Sequence, residues 1–217
     1  MIKAVIFDFD GVILESEDIK TEAFRELFRD HPDEIDTIID YHIRNSGISR
    51  YVKVRYVYEH ILGKELSLEK EKELWERFSR LVLNEVLKAP FVPGAKEFLT
   101  SNKGAYTLFI ASGTPDTELE MTVRERKIKK YFKEIYGSSK KKPDIINGII
   151  KQYDFSVNEI VFVGDAESDR IAAEETGVFF IERGEGCGEY TIKDLTRLGE
   201  VLGDVSSCHP RENGDPE

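Results

Sequence analysis

The chain's 217 residues are 40% hydrophobic and 11% aromatic, enough for a sizeable buried core and too apolar for disorder throughout. Lysine and arginine number 31 against 42 aspartate and glutamate, a formal balance of −11. Broad binding to a nucleic-acid backbone needs a basic face and is therefore not expected, whereas a small anionic substrate needs only a few local cations or a metal.

The first apolar run, residues 2–7, is mostly β-branched or aromatic and stops at Asp8. Near-continuous apolarity predicts a strand buried on both faces, as in a parallel sheet. The run is too short for a secretory signal, and no apolar stretch reaches the ~20 residues of a membrane span. The chain is thus expected to be cytoplasmic, with no membrane partner. Cys187 and Cys208 have neither a disulfide framework nor zinc spacing and are expected to be reduced thiols.

Residues 15–90 read as a mostly helical insertion. Ile19, Ala23, Phe24, Leu27 and Phe28 recur at helical spacing over residues 17–29. Residues 66–86 are rich in Glu, Lys and Leu, with Ser67 placed to cap them. Pro90, Pro93 and Gly94 break the pattern. Beyond them, helices predicted at 94–101, 116–129, 143–153 and 168–176 alternate with strands at 106–110, 160–163 and 177–181. That alternation predicts a doubly wound α/β sheet. Its expected parts are residues 1–14 and 91–205, with a polar, disordered tail over residues 206–217. The four histidines, His209 in that tail among them, are isolated from one another and are not expected to be ligands.

Polar residues cluster where the predicted strands end, and ligands of open α/β sheets bind at the carboxyl ends of strands. Asp8 and Asp10 follow the first strand, with Gly11 permitting a sharp turn. Ser112, Gly113 and Thr114 follow another, and Asp165 and Asp169 a third. Clustered carboxylates repel one another unless a hard cation joins them, and Mg²⁺ takes oxygen ligands.

Four stretches carry a resemblance: AVIFDFDGVILES, IASGT, the lysines of GSSKKKPDII, and VFVGDAESD. Together they resemble the haloacid dehalogenase superfamily, in particular its phosphatases and phosphomutases with a helical cap inserted after the first strand of a Rossmann-like core. The resemblance runs from about Ile2 to Glu182. It implies that Asp8 is the nucleophile toward phosphorus and that Asp10 is the general acid and base. It implies that Ser112, with backbone N–H groups near Gly113 and Thr114, holds a phosphoryl oxygen. Mg²⁺ would be held by Asp8, the backbone carbonyl of Asp10, Asp165 and, directly or through water, Asp169. The phosphate-binding lysine would be Lys140 or Lys142, with Lys142 favoured because Gly137-Ser138 then falls in register.

Residues 44–53 hold the expected specificity determinants. Gly47 can place a tight turn over the site, and Arg50 and Lys53 stand on neighbouring helical turns, close enough to act on one anionic group. The resembled family places its specificity loop here. The expected activity is a Mg²⁺-dependent phosphatase acting on a small phosphorylated metabolite, a sugar phosphate, phosphoglycolate or nucleotide, through an aspartyl phosphate. The alternatives are a sugar phosphomutase of the β-phosphoglucomutase type and a non-catalytic binding protein. Those mutases carry histidine where this chain has Lys20, and Asp-Thr or Asp-Ser where it has Glu15-Ser16. An idle binding protein would be expected to have lost one of the acidic residues, all of which are kept.

Overall fold

A computed structural model describes residues 1–101, 104–185 and 190–207. Cys187, Cys208, His209 and residues 208–217 of the expected tail lie outside the described residues. Ser206 and Ser207, counted in that tail by their polarity, instead close the last helix.

Among the described residues six strands form one parallel sheet: β1 (Ala4–Phe7), β2 (Thr107–Ala111), β3 (Glu134–Tyr136), β4 (Ile160–Gly164), β5 (Phe179–Arg183) and β6 (Thr191–Ile192). Their spatial order is β3-β2-β1-β4-β5-β6. β1 therefore sits between β2 and β4, at the point where the winding reverses. Every residue of β1 is buried, as its uninterrupted apolar run requires. Val5 and Phe7 face one layer with Leu108, Ile110, Val161 and Val163. Ala4 and Ile6 face the other with Phe109 and Phe162.

The helices of the sheet unit are α5 (Ala95–Ser101), α6 (Asp116–Glu125), α7 (Lys142–Tyr153), α8 (Glu167–Thr176) and α9 (Leu198–Ser207). Ile145, Ile146 and Ile149 of α7, with Ala172 and Ala173 of α8, cover one face of the sheet. α6 stops short of the expected Lys129: Lys127 takes a left-handed φ of 60° and a short 3₁₀ turn follows at Lys129–Tyr131. The strand expected at 177–181 begins later, because Gly177, at φ 74°, serves as the left-handed close of α8.

Between β1 and α5 lie α1 (Glu17–Leu27), α2 (Ile35–Arg44), α3 (Arg50–Tyr56), a π-helical turn at Val57–Ile61, and α4 (Leu68–Lys88). Ser67 caps α4 as expected, its Oγ accepting from the Lys70 N–H at 3.2 Å. Phe24 of α1, Phe28 at its C-terminal cap, Ile38 of α2, Val54 of α3 and Leu74 and Phe78 of α4 form the interior of this insertion. The same buried apolar cluster continues into the sheet unit. Among the described residues no helix is long and apolar enough to cross a membrane.

Candidate active site

The central strands β2, β1 and β4 end side by side, and each is followed at once by a polar side chain. Asp8 follows β1, its backbone N–H donating to Val163 of β4 at 2.9 Å. Ser112 follows β2, its N–H donating to Tyr136 of β3 at 3.0 Å. Asp165 follows β4. The parallel register itself thus brings residues more than a hundred positions apart to one edge of the sheet.

Asp8 is 2% exposed. Its Oδ1 accepts from the Phe9 N–H at 2.6 Å and its Oδ2 from Lys142 Nζ at 2.9 Å. Lys142 is the first residue of α7 and also bonds Asp169. Burial disfavours its charge, but Asp169 and Asp8 outweigh that and hold the ammonium firmly protonated. Lys140 is exposed, with its ammonium 5.9 Å from the centre of the Tyr136 ring. Of the two alternative lysines, Lys142 is the one inside the site.

Asp8, Asp165 and Asp169 each offer a carboxylate oxygen, all within 4.8 Å of one another. Burial pushes the Asp8 carboxyl up despite Lys142, and burial together with Asp8, Glu17 and Asp169 pushes Asp165 up. Three crowded carboxylates, with Asp8 and Asp165 held against their charge, are a donor set that fits a hard divalent cation. Asp169 lies in the first turn of α8 and accepts from the Ala166 N–H at 3.2 Å, so its orientation is fixed. Gly11 keeps this cluster open: a Cβ there would lie 2.0 Å from Asp165 Oδ2.

Asp10 points elsewhere. Its Oδ1 accepts from Ser16 Oγ at 2.6 Å, its Oδ2 accepts from Thr114 Oγ1 at 2.7 Å, and Oδ2 also pairs with Lys20. The carboxylate is thereby turned from the cluster of Asp8, Asp165 and Asp169, leaving the backbone carbonyl as the group the resemblance assigns to a cation. The Ser112 Oγ accepts from the Thr114 N–H at 3.1 Å.

A closed cleft lies between the strand ends and the helical insertion. Asp8, Asp10, Gly113 and Thr114 line it from below, and Gly47, Arg50 and Lys53 from above. Its space is about 40 Å³. Gly47, at φ 74°, makes the approach possible: a Cβ there would lie 2.4 Å from Ser168 Oγ. The Ser168 hydroxyl donates to the Ser46 carbonyl at 2.9 Å, closing the contact.

The profile of the haloacid dehalogenase-like hydrolases matches residues 5–182. The chain belongs to this family. It is similar to the phosphorylated carbohydrates phosphatase of Thermotoga maritima, 29% identical over 97% of this chain and 96% of the relative. The D-ribitol-5-phosphate phosphatase of Bacteroides thetaiotaomicron is 26% identical over 82% of this chain and 89% of its own length. Among solved structures, a β-phosphoglucomutase from Clostridium difficile shares the fold, with a TM-score of 0.77 over 95% of this chain and 98% of that one at 18% identity. The family and its phosphatase relatives make this hydrolase a phosphoric monoester hydrolase of the haloacid dehalogenase type.

Several residues of the hydrolase's cleft carry no local sequence signal. Glu17, Lys20, His42 and Phe78 line it alongside the expected residues. Lys20 stood out only as a departure from the mutases' histidine, yet it pairs with Asp10. Arg50 was expected to face an anionic substrate. It lines the cleft, but its guanidinium pairs with Glu118 of α6, donates to Ser79 Oγ at 3.0 Å and lies 4.5 Å from the Phe78 ring centre. The π-helical turn and strands β3 and β6 were equally absent from the sequence pattern, being too short to show periodicity.

Proposed function

We propose that this hydrolase is a Mg²⁺-dependent phosphatase that acts in the cytoplasm on a small phosphorylated metabolite through an aspartyl phosphate. The observation that carries the reading is the convergence of Asp8, Asp10 and Ser112, from two neighbouring strand ends, with Lys142 bonded to Asp8 at 2.9 Å. Asp8 attacks phosphorus, its oxygen bonding as the bond to the leaving oxygen breaks. Asp10 gives its proton to that oxygen, then takes one from the water that attacks phosphorus and frees Asp8. Ser112, the N–H groups near Gly113 and Thr114, and Lys142 hold the phosphoryl oxygens as charge spreads over them. Mg²⁺, where bound by Asp8, Asp165, Asp169 and the Asp10 carbonyl, supplies further neutralisation of that charge.

Residues 15–90 act in this reading as a cap over a core of residues 1–14 and 91–205. The closed cleft is far smaller than a phosphorylated carbohydrate, so the cap opens to admit substrate and closes to exclude water. The names of the two relatives support a sugar or polyol phosphate as substrate, with phosphoglycolate and nucleotides as further candidates. The mutase reading has only likeness of fold in its support.

The test is phosphate release across a panel of phosphorylated metabolites, with Mg²⁺ and with EDTA, for the unaltered chain and for Asp8→Asn. Metal-dependent release that vanishes in the folded variant is expected. Undiminished turnover by Asp8→Asn would remove the nucleophile assignment.

A further inference from the structure

Lys53 is a charged group of the cleft that the phosphoryl-transfer chemistry leaves unused. It stands on α3 one turn after Arg50, is 4% exposed, and lines the same cleft as Asp8 and Asp10. The other cations around the site are paired: Arg50 with Glu118, Lys20 with Asp10, and Lys142 with Asp8 and Asp169. Lys53 has no carboxylate at ion-pair distance among the described residues. Its ammonium donates to the His42 carbonyl at 3.1 Å and lies 3.5 Å from His42 Nδ1. Glu17, the carboxylate that most supports its charge, accepts from Ser46 Oγ instead, at 2.5 Å.

An ammonium has three N–H donors. His42 offers two acceptors at most, which leaves one donor for the cleft. A structural purpose for Lys53 exists: the His42 carbonyl lies in the last turn of α2, where cations are favoured. That purpose accounts for one hydrogen bond and leaves the ammonium with no carboxylate in direct contact. A buried ammonium without an ion-pair partner is costly, and burial pushes Lys53 down to about 8, with Glu17 and Asp10 opposing from a distance and Lys20 and Lys142 adding to the effect. An anion delivered by a ligand would supply the missing partner.

We propose that Lys53 is the subsite for a second anionic group on the substrate, so that this hydrolase favours phosphomonoesters whose leaving alcohol carries a carboxylate or a second phosphate over those with a neutral alcohol. The proposal rests on the phosphatase reading and, among the candidate substrates named there, favours those with a second phosphate or a carboxylate over simple sugar or polyol monophosphates. Arg50 does not take this part, since Glu118 and Ser79 already hold its guanidinium.

The test measures binding to the Asp8→Asn chain by titration calorimetry with matched probes. One pair is 2-phosphoglycolate and 2-hydroxyethyl phosphate, which differ only in a carboxylate for a hydroxymethyl group. The other is glycerol 1,3-bisphosphate and glycerol 1-phosphate. In at least one pair the anionic member is expected to bind about tenfold tighter or better, a preference that Lys53→Met abolishes and Lys53→Arg largely keeps. The pair that shows the preference identifies the anion. Equal binding within both pairs, or a Lys53→Met loss that is the same for charged and neutral members, overturns the proposal and leaves Lys53 as a tie between helices. Turnover of the four probes by the unaltered chain with Mg²⁺ tests the phosphatase reading separately. Selective binding without phosphate release overturns the reaction and keeps the subsite.

Discussion

The ammonium of Lys20, on the first helix of the insertion, pairs with Oδ2 of Asp10 and donates to Thr114 Oγ1 at 2.8 Å. Burial works against the Asp10 charge, but Lys20, with hydrogen bonds from Ser16 and Thr114, outweighs it and holds the carboxyl below its ordinary range. In the proposed reaction Asp10 gives a proton in one half and takes one in the other. Lys20→Met removes the positive charge, so both limbs of the pH–rate profile that Asp10 controls are expected to move to higher pH. Lys20→Arg is expected to leave them in place. Superimposable profiles for Lys20→Met and the unaltered chain would show that Lys20 does not set the proton inventory of Asp10.

Gly47 controls how closely the two halves of the cleft meet. A Cβ at this left-handed position would come within 2.4 Å of Ser168 Oγ and 3.1 Å of Lys142 Nζ. Gly113 faces it from below, where a Cβ would lie 2.5 Å from the Gly47 carbonyl oxygen. Gly47→Ala and Gly113→Ala should each hold the halves apart. A misplacement of this size costs on the order of 100-fold in kcat/KM, whereas a strained alanine in one loop costs only about 1 kcal/mol or somewhat more of stability. Steady-state kinetics and thermal melting on the same samples check the contrast. A variant with near-normal kcat/KM would mean that catalysis does not need this contact.

His42 makes the insertion sensitive to acid. The residue is 6% exposed and its ring is stacked on Phe24, with centroids 4.3 Å apart. Burial, with Lys53 and Lys20 beside it, pushes its pKa down from 6.5 to about 3. Across that interval the unfolded chain binds the proton and the folded chain does not, so the stability contributed is present above about pH 6.5 and is lost as pH falls toward about 3. Urea midpoints measured between about pH 7 and pH 4 should therefore fall more steeply for the unaltered chain than for His42→Gln. Parallel slopes would assign the acid sensitivity to other groups.

Legibility in the sequence followed the range of the interactions. β1, β2 and β4 announced themselves because a strand buried on both faces needs an unbroken apolar run, and each run ended abruptly in Asp8, Ser112 or Gly164-Asp165. β3 could not be read. It is three residues with a single aliphatic side chain, Ile135, and its pairing with β2 makes it a strand. Three consecutive lysines look alike as text. Burial at the start of α7 separates Lys142 from its neighbours. The partners of Arg50 and Lys20 were hidden for another reason. Glu118 and Asp10 belong to other elements, and no periodicity within α3 or α1 reports a contact made across the cleft.

The chain crosses between sheet and insertion at two adjacent points. Leu14 forms an antiparallel bridge with Phe91, and the Glu15 N–H donates to the Pro90 carbonyl at 3.0 Å. Arg183, at the end of β5, donates to Glu15 Oε1 at 2.7 Å beside this crossing. The excursion therefore begins and ends at a single doorway, and β1 pairs with β2 and β4 through residues 4–7, all of which precede it. Because the buried apolar cluster of the insertion continues into the sheet unit, a foreign helical unit grafted at the same two positions would have to supply that apolar cover as well. The first residue of any such graft would have to offer Arg183 a carboxylate.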